Sequence, residues 1–188
     1  IALPPHNESD VFANDVGLIA AGEGDTFIGF NVSIGGGLAA THGNTATYPR
    51  RGTLIGFIPK EKTLELVWQI VAIQRDFGNR EDRKLARLKY TLDRLGVDWF
   101  KDELAIRCGF KVDPIRPYKF KYRGDTFGWL EGVDGKWCYG IFIESGLIQD
   151  LNGYDIKSFL VTASKTKKCG LRFTGNQNIM LTNVDVSD

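Results

Sequence analysis

The chain has 188 residues, a formal net charge of +1 and 43% hydrophobic residues, a content that excludes a disordered protein. The near-neutral charge argues against broad binding to nucleic acid or to a membrane surface, and no apolar run is long enough to span a bilayer. The sequence therefore predicts a cytoplasmic protein of one large or two small domains, with no nucleic-acid or membrane partner. Because the chain begins at Ile1 and not at Met, we expect the original N-terminus to lie upstream or to have been removed.

The first part of the chain shows strand patterns. Residues 11–21 and 26–34 are rich in β-forming residues and flank a turn-prone segment at 22–25, and residues 54–58 suggest a further short strand. Three glycines, Gly35–Gly37, follow the second strand and permit positive φ angles or a close approach to the backbone. They do not match the GxGxxG dinucleotide pattern, and a tight bend and a cofactor-facing loop both remain open.

Helical spacing replaces the strand pattern after residue 60. Residues 62–75 predict an amphipathic helix, residues 82–95 are interpreted as one straight helix, and residues 98–108 predict a third helix ending at Gly109. The apolar residues taken as the buried face of the first helix are Leu64, Val67, Trp68, Val71 and Ala72.

The second part of the chain predicts a small β-β-α-β-β unit. Pro114 and Pro117 interrupt residues 111–118, which we interpret as a linker. The predicted elements beyond it are strands at 127–131 and 136–144 around the hairpin signal Asp134-Gly135, a helix at 156–164, and strands at 170–174 and 178–183. The fold class is therefore α+β.

Cysteine and histidine usage indicates neither a disulfide framework nor a metal site within the chain. The three cysteines, Cys108, Cys138 and Cys169, lie about thirty residues apart without a CxxC motif, and we expect buried, reduced thiols. The two histidines, His6 and His42, are expected in loops or at the surface.

Residues 74–91 concentrate positive charge, and are the candidate anion site. They carry six cations against three acids: Arg75, Arg80, Arg83, Lys84, Arg87 and Lys89. A solvated helix face is the competing interpretation. Arg87 and Lys89 are two residues apart, which places them on different sides of a helix and on the same side of an extended segment. If both bind one small anion, the backbone there cannot be a regular helix.

Five segments carry a family resemblance. They read, in chain order, PPHNESDVFANDVGLIAA, GFNVSIGGGLAATHGNTATYPR, QRDFGNREDRKLARLKYTLDRLG, PIRPYKFKYRGDTFGWLEGVDGKW and RFTGNQNIML. In this order they resemble the middle of assimilatory sulfite reductase hemoproteins, a family related to siroheme nitrite reductases and ferredoxin-dependent sulfite reductases. The resemblance covers essentially the whole chain.

The resemblance implies a layout and an activity. Residues 1–110 would be part of the siroheme and 4Fe-4S domain, and residues 115–188 a ferredoxin-like half domain. The family reduces sulfite to sulfide by six electrons on a siroheme coupled to a 4Fe-4S cluster, during sulfur assimilation and cysteine biosynthesis. A flavoprotein or a ferredoxin donates the electrons. The family's cluster cysteines lie beyond this region and two substrate-binding arginines lie before it. We therefore expect this piece alone to bind no cofactor and to be inactive.

The resemblance also implies roles for particular residues. Arg87 and Lys89 occupy the family's Lys-x-Lys step and are the expected catalytic residues, although arginine at position 87 is a poorer proton donor than lysine. Further candidate cofactor contacts are Arg80, Arg83 and Lys84 near the siroheme carboxylates, and Asn176 and Gln177 in the RFTGNQ run. For this run, capping of a strand start is the alternative.

Two alternative functions remain open. The first is a siroheme nitrite reductase, although the family's nitrite reductases tend towards asparagine where this chain has Lys89. The second is a non-catalytic module that binds an anion or a partner protein through the cationic stretch.

Overall fold

A computed structural model describes residues 1–132, 134–151 and 153–187. The chain forms two compact units, Ile1–Arg123 and Gly124–Asp188. The elements of the first unit are β1 (His6–Asn7), β2 (Val16–Glu23), β3 (Thr26–Ile34), β4 (Thr53–Pro59), α1 (Thr63–Phe77), α2 (Leu88–Leu95), α3 (Val97–Cys108) and β5 (Tyr122–Arg123).

The first unit is built on an antiparallel sheet of order β2-β3-β4. The bounds of β3 are those predicted, because its β-branched and aromatic residues end at the glycine run. The first predicted strand is shorter than expected. Residues Val11–Ala13 form a 3-10 turn instead, in which the Asn7 side chain accepts a hydrogen bond from the Val11 backbone at 2.9 Å.

Helix α1 covers the sheet with a face that the sequence analysis did not choose. The buried apolar residues are Leu66, Ile70, Ala72 and Ile73, whereas Leu64 and Trp68 are 85% and 68% exposed. The predicted helix is therefore confirmed, but of its predicted buried face only Ala72 is buried. The helix carries two apolar stripes with the same spacing, so periodicity alone could not tell which one meets the sheet.

The cationic stretch does not form one straight helix. A 3-10 turn at Arg83–Leu85 precedes α2, and between them Arg87 is extended, with φ −75° and ψ 153°. The Asp82 side chain accepts a hydrogen bond from the Lys84 backbone at 2.9 Å and so caps the short turn. The side-chain amide of Gln74 donates to the Ala86 carbonyl at 2.6 Å, which anchors the break to α1. The interpretation of residues 82–95 as a single helix is thus wrong.

The second unit is a four-stranded antiparallel sheet with one helix. Its elements are β6 (Gly128–Glu131), β7 (Trp137–Ile141), β8 (Asp150–Leu151), β9 (Tyr154–Asp155), α4 (Ile156–Thr166), β10 (Gly170–Phe173) and β11 (Ile179–Val184). The strand order is β10-β11-β7-β6. The buried core contains Ile143, Leu160, Ile179, Leu181 and Val184. This arrangement follows the predicted β-β-α-β-β order, and adds the short β8–β9 pair, which the sequence analysis missed.

The helices of the described ranges are too short or too polar to cross a bilayer.

Candidate active site

The glycine run turns the chain away from β3 against the segment before β2. The backbone amides of Gly35 and Gly36 donate to the carbonyls of Asp15 and Asn14 at 2.8 and 3.0 Å. A Cβ atom on Gly36 would lie 2.2 Å from the Phe12 carbonyl oxygen, and Gly35 has a φ of +72°. Both positions therefore require glycine for backbone reasons, which supports a tight bend as the role of the run.

Arg87 lies flat against the third glycine. A Cβ atom on Gly37 would be 2.8 Å from the guanidinium carbon. The guanidinium donates to Asp15 through Nη2 at 2.8 Å and Nε at 3.3 Å, and through Nη2 to the Gly36 carbonyl at 3.2 Å. The hydrogen bond to Asp15 raises the pKa of Arg87, although burial opposes this. Arg87 is therefore a fixed positive charge and a poor source of protons.

Lys89 lies at the centre of the site and is fully buried, with 0% exposure. Its ammonium group donates to the carbonyls of Gly37 at 3.0 Å and Ala39 at 2.9 Å, and also to the carbonyl of Tyr48. An ammonium group has three protons, and all three are used here. The nitrogen also lies 4.9 Å from the centroid of the Tyr90 ring, which adds a cation–π contact.

The two predicted catalytic residues converge on Gly37. Arg87 is extended and Lys89 lies in the first turn of α2, so their side chains reach the same glycine despite their i, i+2 spacing. The backbone thereby meets the condition that two residues so spaced can serve one small anion only outside a regular helix. Their binding of an anion stays a prediction.

An acidic centre beside Lys89 was not found from the sequence. The Asp93 carboxylate accepts hydrogen bonds from the Tyr48 hydroxyl and from Arg50 Nε, both at 2.8 Å. Arg50 also donates through Nη1 to the Gly35 carbonyl at 3.0 Å. Burial, followed by the bond to Asp93, raises the pKa of Tyr48. The one available signal was the i, i+4 spacing of Lys89 and Asp93, which places both on one side of α2.

The other cations of residues 74–91 differ in whether their side chains are hydrogen-bonded. Arg80 donates to the carbonyls of Arg75 at 2.9 Å and Gln74 at 3.5 Å, at the C-terminal end of α1, where positive charge is favourable. Arg83 and Lys84 are exposed, and their side chains make no hydrogen bond or ion pair with any other described residue. These two cations are thus open to a ligand.

Asn176 and Gln177 lie in the turn between β10 and β11 of the second unit. Asn176 Nδ2 donates to the Asp125 carboxylate at 2.9 Å, as does Asn178 Nδ2 at 2.7 Å and the Thr174 hydroxyl. Gln177 is exposed and has a φ of 63°. The polar run organises the turn around one carboxylate, and a cofactor role for Asn176 and Gln177 stays a prediction.

We expect acid to weaken the second unit through Asp125. Burial raises the pKa of its carboxyl, but hydrogen bonds from Thr174, Asn178 and Asn176 outweigh this and leave the pKa below its ordinary value of 3.8. A carboxyl with a depressed folded-state pKa stabilises the fold above its unfolded pKa, and this stabilisation disappears as the pH falls through the folded pKa. The urea concentration at the unfolding midpoint should therefore decrease as the pH is lowered below about 4. The decrease should be smaller in Asp125→Asn. Equal pH dependence in both proteins would contradict the assignment.

The described residues do not fit the ligation of a 4Fe-4S cluster. Such a cluster needs several thiolates, and within residues 1–132, 134–151 and 153–187 no three His, Cys, Asp or Glu side chains group as a metal site. Cys108, Cys138 and Cys169 are free thiols and are partly buried, where the sequence predicted buried, reduced thiols. Burial raises the pKa of the Cys108 thiol. Arg83 and Lys84 are exposed cations whose charge suits carboxylates such as those of siroheme, and their contact with siroheme stays a prediction.

The fold has a counterpart among solved structures. The NirA protein of Mycobacterium tuberculosis superposes with a TM-score of 0.74 at 22% identity, and the match covers 95% of this chain and 32% of that one. The chain thus has the fold of a part of NirA.

The family model for the nitrite and sulphite reductase 4Fe-4S domain matches residues 1–112, and the chain belongs to this family. Among curated proteins, a sulfite reductase [NADPH] hemoprotein beta-component of Leptospira biflexa is 51% identical over all 188 residues, which are 34% of its length. Proteins of the same name from Staphylococcus saprophyticus and Vibrio cholerae are 48% and 50% identical over 98% of this chain and 32% of theirs. The chain therefore spans about a third of these relatives.

Proposed function

We propose that residues 1–188 are the central part of a cytoplasmic sulfite reductase hemoprotein that serves cysteine biosynthesis. Within it, residues 1–110 belong to the siroheme and 4Fe-4S domain, and residues 115–188 form a ferredoxin-like half domain. The observation that carries the proposal is the convergence of Arg87 and Lys89 on Gly37. The relatives named as sulfite reductase hemoproteins support it, since they align with 98% to 100% of this chain.

The two cations suit different parts of the reaction. Reduction of sulfite consumes six electrons and six protons and gives sulfide and three waters (SO₃²⁻ + 6e⁻ + 6H⁺ → S²⁻ + 3H₂O). Arg87 keeps its charge and stabilises the oxyanion, whereas the ammonium of Lys89 can release a proton to a departing oxygen. Lys89 reaches a sulfite oxygen by exchanging one of its three carbonyl partners for it.

The reaction also requires a siroheme cofactor and an electron-donating partner. When bound, siroheme would supply the electrons that reduce sulfite, with a flavoprotein or a ferredoxin as their donor. Arg83 and Lys84 would hold siroheme carboxylates, with Arg80 nearby at the end of α1, and Asn176 and Gln177 are proposed as further siroheme contacts. Cluster ligation falls to residues outside 1–188.

Steady-state turnover of the complete, siroheme-loaded protein tests the proposal. With a chemical reductant in place of the natural donor, kcat/KM is expected to be higher for sulfite than for nitrite. The opposite preference would make the protein a siroheme nitrite reductase, the alternative that the sequence resemblance leaves open. Failure to reduce either anion would overturn both. The isolated chain of residues 1–188 is expected to show no siroheme Soret band.

A further inference from the structure

The loop from Gly37 to Tyr48 is tied at both ends to the Lys89 ammonium group. One proton goes to the Gly37 carbonyl and another to that of Ala39, at the start of the loop, and the third goes to the Tyr48 carbonyl at its end. The residues between these ends are mostly exposed, while the ammonium group itself is buried. The loop therefore covers Lys89.

The two ends of this loop are not fixed equally by the backbone. At its start, Gly37 exchanges backbone hydrogen bonds with Arg50 in both directions, at 2.8 and 2.9 Å. At its end, the Tyr48 side chain is held through its hydroxyl by Asp93, which also binds Arg50. The Asp93 carboxylate thus joins the end of the loop and the residue that pairs with its start.

We propose that Asp93 is a positioning residue, which acts through Tyr48 and Arg50 to hold the Gly37–Tyr48 loop closed over Lys89. The role of Lys89 in turnover rests on the proposed function, whereas the closure itself does not. Asp93 and Lys89 lie one helical turn apart on α2, so the helix that carries the buried ammonium group also carries the carboxylate that anchors the loop.

The closure sets how readily Lys89 meets an anion. A sulfite oxygen has to replace one of three carbonyl partners, so only molecules in which the loop has released Lys89 bind sulfite through it. The apparent affinity for sulfite therefore rises as this open fraction rises. Without the Asp93 charge, the Tyr48 end of the loop loses its anchor while the Gly37 end keeps its backbone pair. The open fraction then rises, and the exposure of the Lys89 ammonium rises with it.

Competitive acylation of lysines in the complete, siroheme-loaded protein tests the closure. The ratio of labelling at Lys89 to labelling at Lys60, an exposed lysine outside the proposed site, is read by peptide mass spectrometry. It is expected to rise about 10-fold in Asp93→Asn. Tyr48→Phe should give a smaller rise, and Asp93→Glu, which keeps the charge, should return the ratio towards that of the unaltered protein. Asp102→Asn, an exposed acid on α3, is the matched control and should leave the ratio unchanged.

Steady-state kinetics distinguish this role from a purely structural one, because a purely structural role of Asp93 would not lower the KM for sulfite. Asp93→Asn is expected to lower the KM for sulfite about threefold, with a smaller change in kcat. An unchanged labelling ratio in a folded Asp93→Asn protein would overturn the proposal, and if that variant does not fold, an unchanged ratio in Tyr48→Phe decides in the same way. If the unaltered protein reduces no sulfite, the proposed function fails, while the labelling result still decides the role of Asp93.

Discussion

Replacing Lys89 by methionine in the complete hemoprotein is expected to lower sulfite turnover by about 100-fold or more, with siroheme still bound. Methionine approaches the length of lysine but offers neither a charge nor a proton. The change also removes the partner of three carbonyls, those of Gly37, Ala39 and Tyr48. The Gly37 carbonyl keeps the Arg50 amide as a donor, so the loss falls on the carbonyls of Ala39 and Tyr48, each of which costs about 1–3 kcal/mol if it is left unpaired. Part of the effect will therefore appear as lower stability.

Three measurements separate the chemical role of Lys89 from its structural role. Sulfide formation gives the turnover, the Soret band reports siroheme occupancy, and a urea titration gives the free energy of unfolding. Lys101→Met, which changes an exposed lysine on α3, is the control and should retain turnover. Unchanged turnover in a siroheme-loaded Lys89→Met protein would remove Lys89 from the catalytic machinery.

Replacing Gly36 by alanine is expected to destabilise the first unit by about 3 kcal/mol, with a larger loss if the loop cannot shift. The new Cβ atom would lie 2.2 Å from the Phe12 carbonyl oxygen and 2.6 Å from that of Asn14. Both obstacles are backbone atoms, which cannot rotate away as a side chain can. Displacing them would also disturb Asp15, whose carboxylate holds Arg87.

Gly43→Ala is the matched control for this prediction. Gly43 lies in the exposed loop with nothing within 4 Å of a Cβ atom, but its φ is +73°. Alanine at this position should destabilise the fold only by the cost of its left-handed backbone conformation, about 1–2 kcal/mol. In urea unfolding, the midpoint of Gly36→Ala should be clearly lower than the midpoint of Gly43→Ala. Equal midpoints would mean that the bend has room for a side chain.

Local patterns carried most of the prediction of the fold. The strand Thr26–Ile34 and the Asp134-Gly135 turn follow from short-range chemistry: both turn residues have positive φ angles, at 56° and 69°. The buried face of α1 could not be predicted in this way, because Ile70 and Trp68 belong to stripes of equal period. The choice between the stripes is made by packing against the sheet, which is a long-range interaction.

The residues of the candidate site likewise divide into those that local sequence could predict and those that depend on long-range contacts. Arg87 and Lys89 could be found from charge density and family resemblance, both of which belong to one short stretch. Their partners could not, because Asp15 lies 72 residues from Arg87, and Tyr48 lies 41 residues from Lys89. The break before α2 was raised only as a condition of anion binding by both cations, since it depends on Asp82 capping a turn that no hydrophobic spacing reveals.

The carbonyl cage around residue 89 makes the two positions of the Arg-x-Lys step non-interchangeable. Three carbonyl oxygens converge on one nitrogen there, and only the tetrahedral ammonium of lysine directs three protons from one atom. Position 87 faces a flat glycine surface and one carboxylate, which suits the planar guanidinium of arginine. Exchanging the two residues would conserve the net charge and spoil both sites, so stereochemistry, and not charge alone, fixes which cation stands where.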